Sequence, residues 1–61
     1  MSEEDIISYW KQGYSIEQIT NTSTMVQKNK GKEGEAQARY YVKNLVENTI
    51  LKYQSNKWKE I

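Results

Sequence analysis

Side chains able to recognise a phosphate-bearing ligand cluster in the middle of this chain. Three lysines alternate there with Asn29 and Gly31, and the stretch just beyond them carries amide, guanidinium, phenol and ammonium groups. Lysine and arginine neutralise phosphates, while arginine and glutamine can each pair with a base edge through two hydrogen bonds. The residues that we expect to contact double-stranded DNA on this basis are Lys28, Lys30, Lys32, Gln37, Arg39, Tyr40 and Lys43.

The same residues also fit a simpler interpretation. Lysines beside glycines are typical of a solvated loop, and Arg39 with Glu35 has the i, i+4 spacing of an ordinary ion pair on a helix surface. Glu33 and Glu35 would repel phosphate. The net charge is only +1, with negative charge concentrated before residue 28 and positive charge after it. Charge therefore favours nucleic acid only slightly, since dedicated binding domains are usually far more basic.

Enzymatic chemistry is not expected. The chain has no His and no Cys, so acid–base catalysis at neutral pH would require a carboxylate or lysine in a buried pocket, which 61 residues can hardly enclose. The same absence argues against structural zinc. The acidic residues Glu3, Glu4 and Asp5 suit a helix N-terminus without a metal. We expect a protein with no catalytic residues, no metal and no cofactor.

The segment 10–20 predicts the end of one helix and the start of another. Gly13 can supply the left-handed conformation that stops a helix, and Ser15 with Gln18 has the S-x-x-Q spacing of a capping box. Two short helices joined this closely must cross at a steep angle. That is the geometry of a helix-turn-helix core.

The whole sequence predicts an all-α fold, a small three- to four-helix domain with a helix-turn-helix-like N-terminal hairpin and a long C-terminal helix. Ser2 with Asp5 has the spacing to cap the first helix. A single domain spans residues 1–61, and its predicted helices cover about 3–12, 16–21 and 35–58. The residues at about 27–34 include no large apolar side chain and predict an exposed basic loop. The sequence does not decide whether a short helical turn precedes this loop.

The long helix presents two apolar surfaces at about 100° per residue. One broad stripe can seat the N-terminal helices, and we expect Trp10, Ile16 and Ile19 to pack against Val42, Leu45 and Val46 within it. The full stripe comprises Ala38, Tyr41, Val42, Leu45, Val46, Thr49, Ile50 and Tyr53.

The second surface lies on the opposite side of the same helix. It holds Tyr40, Leu51 and Trp58, and Asn44 shares a seven-residue repeat with the last two. A 61-residue chain buries only about 60% of the surface of its unfolded form, so its monomer is marginal, and no disulfide can brace it. This favours a homodimer through Leu51 and Trp58. The alternative is isolated surface aromatics, which are common.

A family resemblance covers about fourteen residues. The segment that carries it is Ile7-x-x-Trp10-x-x-Gly13-Tyr14-Ser15-Ile16-x-Gln18-Ile19-Thr20. It resembles the front half of helix-turn-helix DNA-binding domains in resolvases and small bacterial or phage regulators. The second half departs from that pattern, because the positions of its turn residue and of two apolar residues are Thr24, Lys30 and Glu33. Either the turn is lengthened, so that the long helix takes the recognition role, or the match is only that of a helical hairpin.

The resemblance and the cations together imply a small sequence-specific DNA-binding regulator of phage or plasmid type, acting as a homodimer. The alternative is a non-catalytic helical interaction module, such as an adaptor, antirepressor or inhibitor of a host protein. The N-terminus is acidic, with no apolar region behind it, and no run of residues reaches membrane-spanning length. We therefore expect a cytoplasmic protein that does not engage a membrane.

Overall fold

Four helices make up the fold. The computed structural model describes the backbone of residues 1–59 and the side chains of residues 1–56. Within that part of the chain there is no strand, and the helices are α1 (Glu3–Lys11), α2 (Ile16–Asn21), α3 (Thr24–Lys28) and α4 (Glu35–Lys59). The all-α fold class predicted from the sequence is confirmed over these residues.

The joint between α1 and α2 is built from local signals. Gly13 ends the first helical segment with a φ of 95°, a left-handed conformation that would strain any other side chain there. Ser15 and Gln18 then form a complete capping box: Ser15 Oγ accepts the Gln18 N–H at 3.1 Å, and Gln18 Oε1 accepts the Ser15 N–H at 2.8 Å. At the other end of α1, Ser2 Oγ accepts the Asp5 N–H at 3.2 Å.

The third helix follows α2 almost without a break. Only Thr22 and Ser23 separate the two, and α3 turns Val26 into the core. The Asn29 side chain closes α3 by donating to the Met25 carbonyl at 2.8 Å. The exposed basic loop therefore begins at Asn29, later than the expected residue 27, and Lys28 is the last residue of a helix. The sequence did not decide whether this short helix forms. Val26 is its single buried apolar residue, and one residue displays no helical repeat.

The core forms where α4 meets the three shorter helices. Ile6, Ile19 and Val46 are completely buried at its centre, so each of α1, α2 and α4 contributes one. Trp10, Ile16 and Leu45 pack only at its edge, which is less central than we expected. The buried apolar residues are Ile6, Ile19, Val26, Ala38, Val42, Val46 and Ile50.

One residue of the expected stripe does not belong to the core. Tyr41 is 62% exposed. The buried side chains of α4 centre on Val42 and Val46, and Tyr41 lies about 100° around the helix from Val42. The short helices cover a narrower band of α4 than the sequence pattern indicates. Assigning Tyr41 to the core was therefore wrong.

Candidate nucleic-acid interface

The end of α2 and the start of α4 are joined by Arg39. Its Nη1 donates to Asn21 Oδ1 at 2.6 Å, across 18 residues of chain, and its Nε donates to Glu35 Oε1 at 3.4 Å. The second contact is the i, i+4 ion pair that the sequence offered as the simpler interpretation. Because two neighbours hold the guanidinium, its position and orientation are set before any ligand binds.

Glu35 also anchors the basic loop. Its second carboxylate oxygen, Oε2, accepts the backbone N–H of Gly31 at 3.0 Å. Gly31 has a φ of 77°, so the loop turns at a residue that tolerates a left-handed conformation. The first residue of α4 thus holds the middle of the loop, between Lys30 and Lys32.

These contacts act on the ionisation of Glu35. The Gly31 N–H, and after it the Arg39 guanidinium, lower the pKa of this carboxyl below its ordinary value. A lowered pKa means that the contacts favour the folded loop while Glu35 is ionised. This contribution is present above the ordinary pKa of a glutamate, and hence at neutral pH, and is lost as the pH falls through the lowered pKa.

We expect acid to release the loop before the helices unfold. In an acid titration followed by NMR, the Gly31 amide signal should shift and its protection from hydrogen exchange should decrease as Glu35 becomes protonated. Glu35→Ala should show the released signal at neutral pH, because alanine has no side-chain oxygen to accept the Gly31 N–H. A Gly31 signal that stays constant down to acid unfolding would contradict the anchoring role.

Three cations follow one side of the molecule. Lys30 and Arg39 line one surface cleft together with Asn21, and Arg39 and Lys43 line the next one with Thr20. Arg39 and Lys43 are one helical turn apart on α4, on the side that faces α2. We call Lys30, Arg39 and Lys43 the basic strip. The structure therefore brings together three of the seven residues that the sequence proposed for DNA contact.

The other four candidates for DNA contact lie outside the basic strip. Lys28 and Lys32 are exposed at the end of α3 and in the loop. Tyr40 is 72% exposed and points away from the core. Gln37 is also exposed, but it is two residues from Arg39 and so lies about 160° from it around α4. Gln37 and Arg39 do not share a face.

Carboxylates border this surface. Glu17 on α2 lines the cleft that holds Arg39 and Lys43. Asp5 lies close to the start of α3, where it shares a cleft with Thr22, Ser23 and Thr24. The start of α3 is therefore flanked by negative charge, whereas the start of α4 lies beside the basic strip, with Glu35 paired to Arg39 and the exposed Glu33 just before it.

Sequence reasoning missed the residues that organise the strip. Glu35 is four residues from both Gly31 and Arg39, but it was considered only as a partner of Arg39 and as a charge that would repel phosphate, and not as an anchor of the loop. Asn21 had none, because its partner lies 18 residues away. The Asn21 backbone carbonyl also accepts the Gln27 side-chain amide at 3.2 Å, which ties α3 to the same point.

The two residues proposed for a dimer contact lie further along α4. Leu51 is 63% exposed and points outward. The side chain of Trp58 lies outside the described residues. Among the residues that the structure describes, no group of His, Cys, Asp or Glu could hold a metal ion.

No α-helix in the described part of the chain has both the length and the apolar character needed to cross a bilayer. Comparison of the chain with protein-family models, with curated proteins and with solved structures found no match.

Proposed function

We propose that this protein binds double-stranded DNA as a small sequence-specific regulator of phage or plasmid type, in the cytoplasm. The supporting observation is that Lys30, Arg39 and Lys43 converge on one side, with the Arg39 guanidinium fixed by Asn21 and Glu35. Cations held at fixed positions set the register of a protein on the phosphate backbone. Lys28 and Lys32 are two further exposed cations, each two residues from Lys30 in the chain.

The start of α4 is a better base-reading element than α3. A recognition helix contacts bases through its N-terminal residues, and α3 has five residues with Asp5 beside its start. That carboxylate would oppose the phosphates. Arg39, in the second turn of α4 and in the same cleft as Lys30, is the residue there that can pair with a base edge. The second helix of the hairpin, α2, therefore packs against the helix that contacts the bases, which is α4.

The direct test is a titration of labelled duplex DNA of mixed sequence at several salt concentrations. The logarithm of the association constant should fall linearly with the logarithm of salt, by about 0.9 for each phosphate neutralised. Neutralising about three to five phosphates predicts a slope between about −3 and −4.5. Glu17→Gln should strengthen binding, because it removes a negative charge beside Arg39 and Lys43. A folded protein that binds no duplex at about 50 mM salt would contradict the proposal.

A second candidate function is a non-catalytic interaction module that docks on a host protein as an adaptor, antirepressor or inhibitor. The observation that favours it is the exposure of large side chains on α4, where Tyr40, Tyr41 and Leu51 are 72%, 62% and 63% exposed. The two functions differ in their dependence on the basic loop, which is needed for binding DNA but not for docking on a host protein. We also propose that the protein acts as a homodimer through α4, with Leu51 in the contact.

A further inference from the structure

The outward side of α4 is almost free of charge. Its residues are exposed and point away from the three short helices, except for the half-buried Glu47, which borders the cleft beside the α1–α2 joint. Glu47 is also the one charged residue among them. Solvated helix faces usually carry many charges, whereas the centres of protein interfaces are depleted of charge and enriched in tyrosine. We call this set the outer face: Ala36, Gln37, Tyr40, Asn44, Glu47, Asn48, Leu51, Gln54 and Ser55.

We propose that the outer face pairs with the outer face of a second copy of this chain, with the two α4 helices antiparallel and centred between residues 45 and 46. The inference rests on the homodimer of the proposed function and assigns its orientation. Two independent matches along α4 support it, one apolar and one of charge.

The apolar match comes from Tyr40 and Leu51. They are eleven residues apart, which is about 16 Å along the axis, and lie within about 20° of each other around the helix. Both are largely exposed. An antiparallel pair centred midway between them places each Tyr40 against the partner's Leu51. Both large side chains of the outer face are then buried in a single symmetric contact.

The charge match comes from Lys43 and Glu47, one turn apart on the same edge of α4 and lining the same cleft. A two-fold axis perpendicular to two antiparallel helices brings the same edge of both together. Lys43 then lies within about 1.5 Å of the height of the partner's Glu47, so two ion pairs form. In a parallel pair the opposite edges meet, and both charges would face uncharged residues.

The antiparallel pairing also fixes the distance between the two basic loops and the side of the dimer that they face. The start of α4 is about ten residues from the centre of the pair, so the two starts are about 30 Å apart and the loops slightly further. Because the same edges meet, both basic strips face the same side of the dimer. That separation is close to one turn of B-DNA, the spacing of half-sites read by helix-turn-helix dimers. Gln37, Tyr40 and Lys43 then serve the dimer, and the DNA contacts come from Arg39 and the loop lysines.

The test exchanges the charges between chains. In sedimentation equilibrium, wild-type protein should dimerise at tens of micromolar, and Lys43→Glu or Glu47→Lys alone should each weaken the dimer on the order of tenfold, since both ion pairs become repulsive. An equimolar mixture of the two variants should restore wild-type affinity, because each mixed dimer regains both pairs. A pair within one chain cannot be restored by mixing. Leu51→Ser should abolish the dimer, whereas Met25→Ser, at an exposed apolar residue of α3, should not.

A second measurement covers the case in which the charge variants do not fold. A nitroxide label on Gln37→Cys gives one spin per chain, since the chain has no other cysteine. Antiparallel pairing predicts a spin–spin distance of about 25–30 Å, and parallel pairing about 10–20 Å. A monomeric wild type, a mixture no tighter than its components, or the shorter distance would overturn the inference. None of these measurements contains DNA, so a failure to bind DNA leaves this result intact, and the reverse holds too.

Discussion

Ile19→Ala is expected to remove roughly half of this protein's free energy of unfolding. Ile19 is completely buried between α1 and α4, and removing a buried aliphatic side chain to alanine costs about 2–5 kcal/mol. A domain of this size has a free energy of unfolding of roughly 3–9 kcal/mol. Far-UV circular dichroism during urea and thermal unfolding measures the decrease in stability.

Ile16→Ala is the matched control, on the same helix and with the same chemistry. Ile16 is only partly buried at the edge of the core, so the variant should stay folded and lose less than half as much stability. Leu45→Ala should fall at the low end of the 2–5 kcal/mol range for the same reason. If Ile19→Ala melted like the wild type, the core would be misplaced.

Replacing Lys28, Lys30 and Lys32 together by Gln is expected to weaken binding to duplex DNA by roughly a hundredfold or more at 0.1 M salt. Each phosphate that is no longer neutralised flattens the salt dependence by about 0.9, so the slope should change by about two to three units. The helical content should not change, because all three side chains are exposed. Fluorescence anisotropy at several salt concentrations measures both quantities.

Lys52→Gln provides the comparison for that series. Lys52 is exposed on α4, far from the loop, so its replacement should leave the slope within about one unit of the wild type. Arg39→Ala should instead relax sequence preference, by about 1–3 kcal/mol for the base that the variant no longer reads. An unchanged slope in the triple variant would remove the loop from the DNA-binding surface.

The parts of the fold that depend on short sequence spacing were predictable. Gly13, the Ser15–Gln18 capping box and the Ser2 cap each act over three or four residues, and all are present in the structure. The i+4 series of Ala38, Val42, Val46 and Ile50 likewise identified the inward side of α4. Local hydrogen bonds and helical periodicity are fixed by neighbours in the chain, so the sequence displays them directly.

What the sequence could not reveal depends on distant partners. The width of the buried band on α4 is set by how the three short helices lie across it. This width leaves Tyr41 outside the core. The contact between Arg39 and Asn21 requires α2 to end beside the first turns of α4, which no local pattern encodes. The candidate site was therefore foreseen as a set of cations, while the groups that hold them were not.

The length of α4 has a consequence for local opening. Burial along this helix ends at Ile50, Tyr53 is half-buried with Lys11 over its ring at 5.5 Å, and residues 54–56 are exposed. In a single chain, amide protons between Ala38 and Ile50 can exchange with solvent only when the core opens, whereas those just after Tyr53 exchange whenever the local helical hydrogen bonds break. A single unbroken helix should therefore show two regimes of deuterium uptake, separated within about one turn of Tyr53.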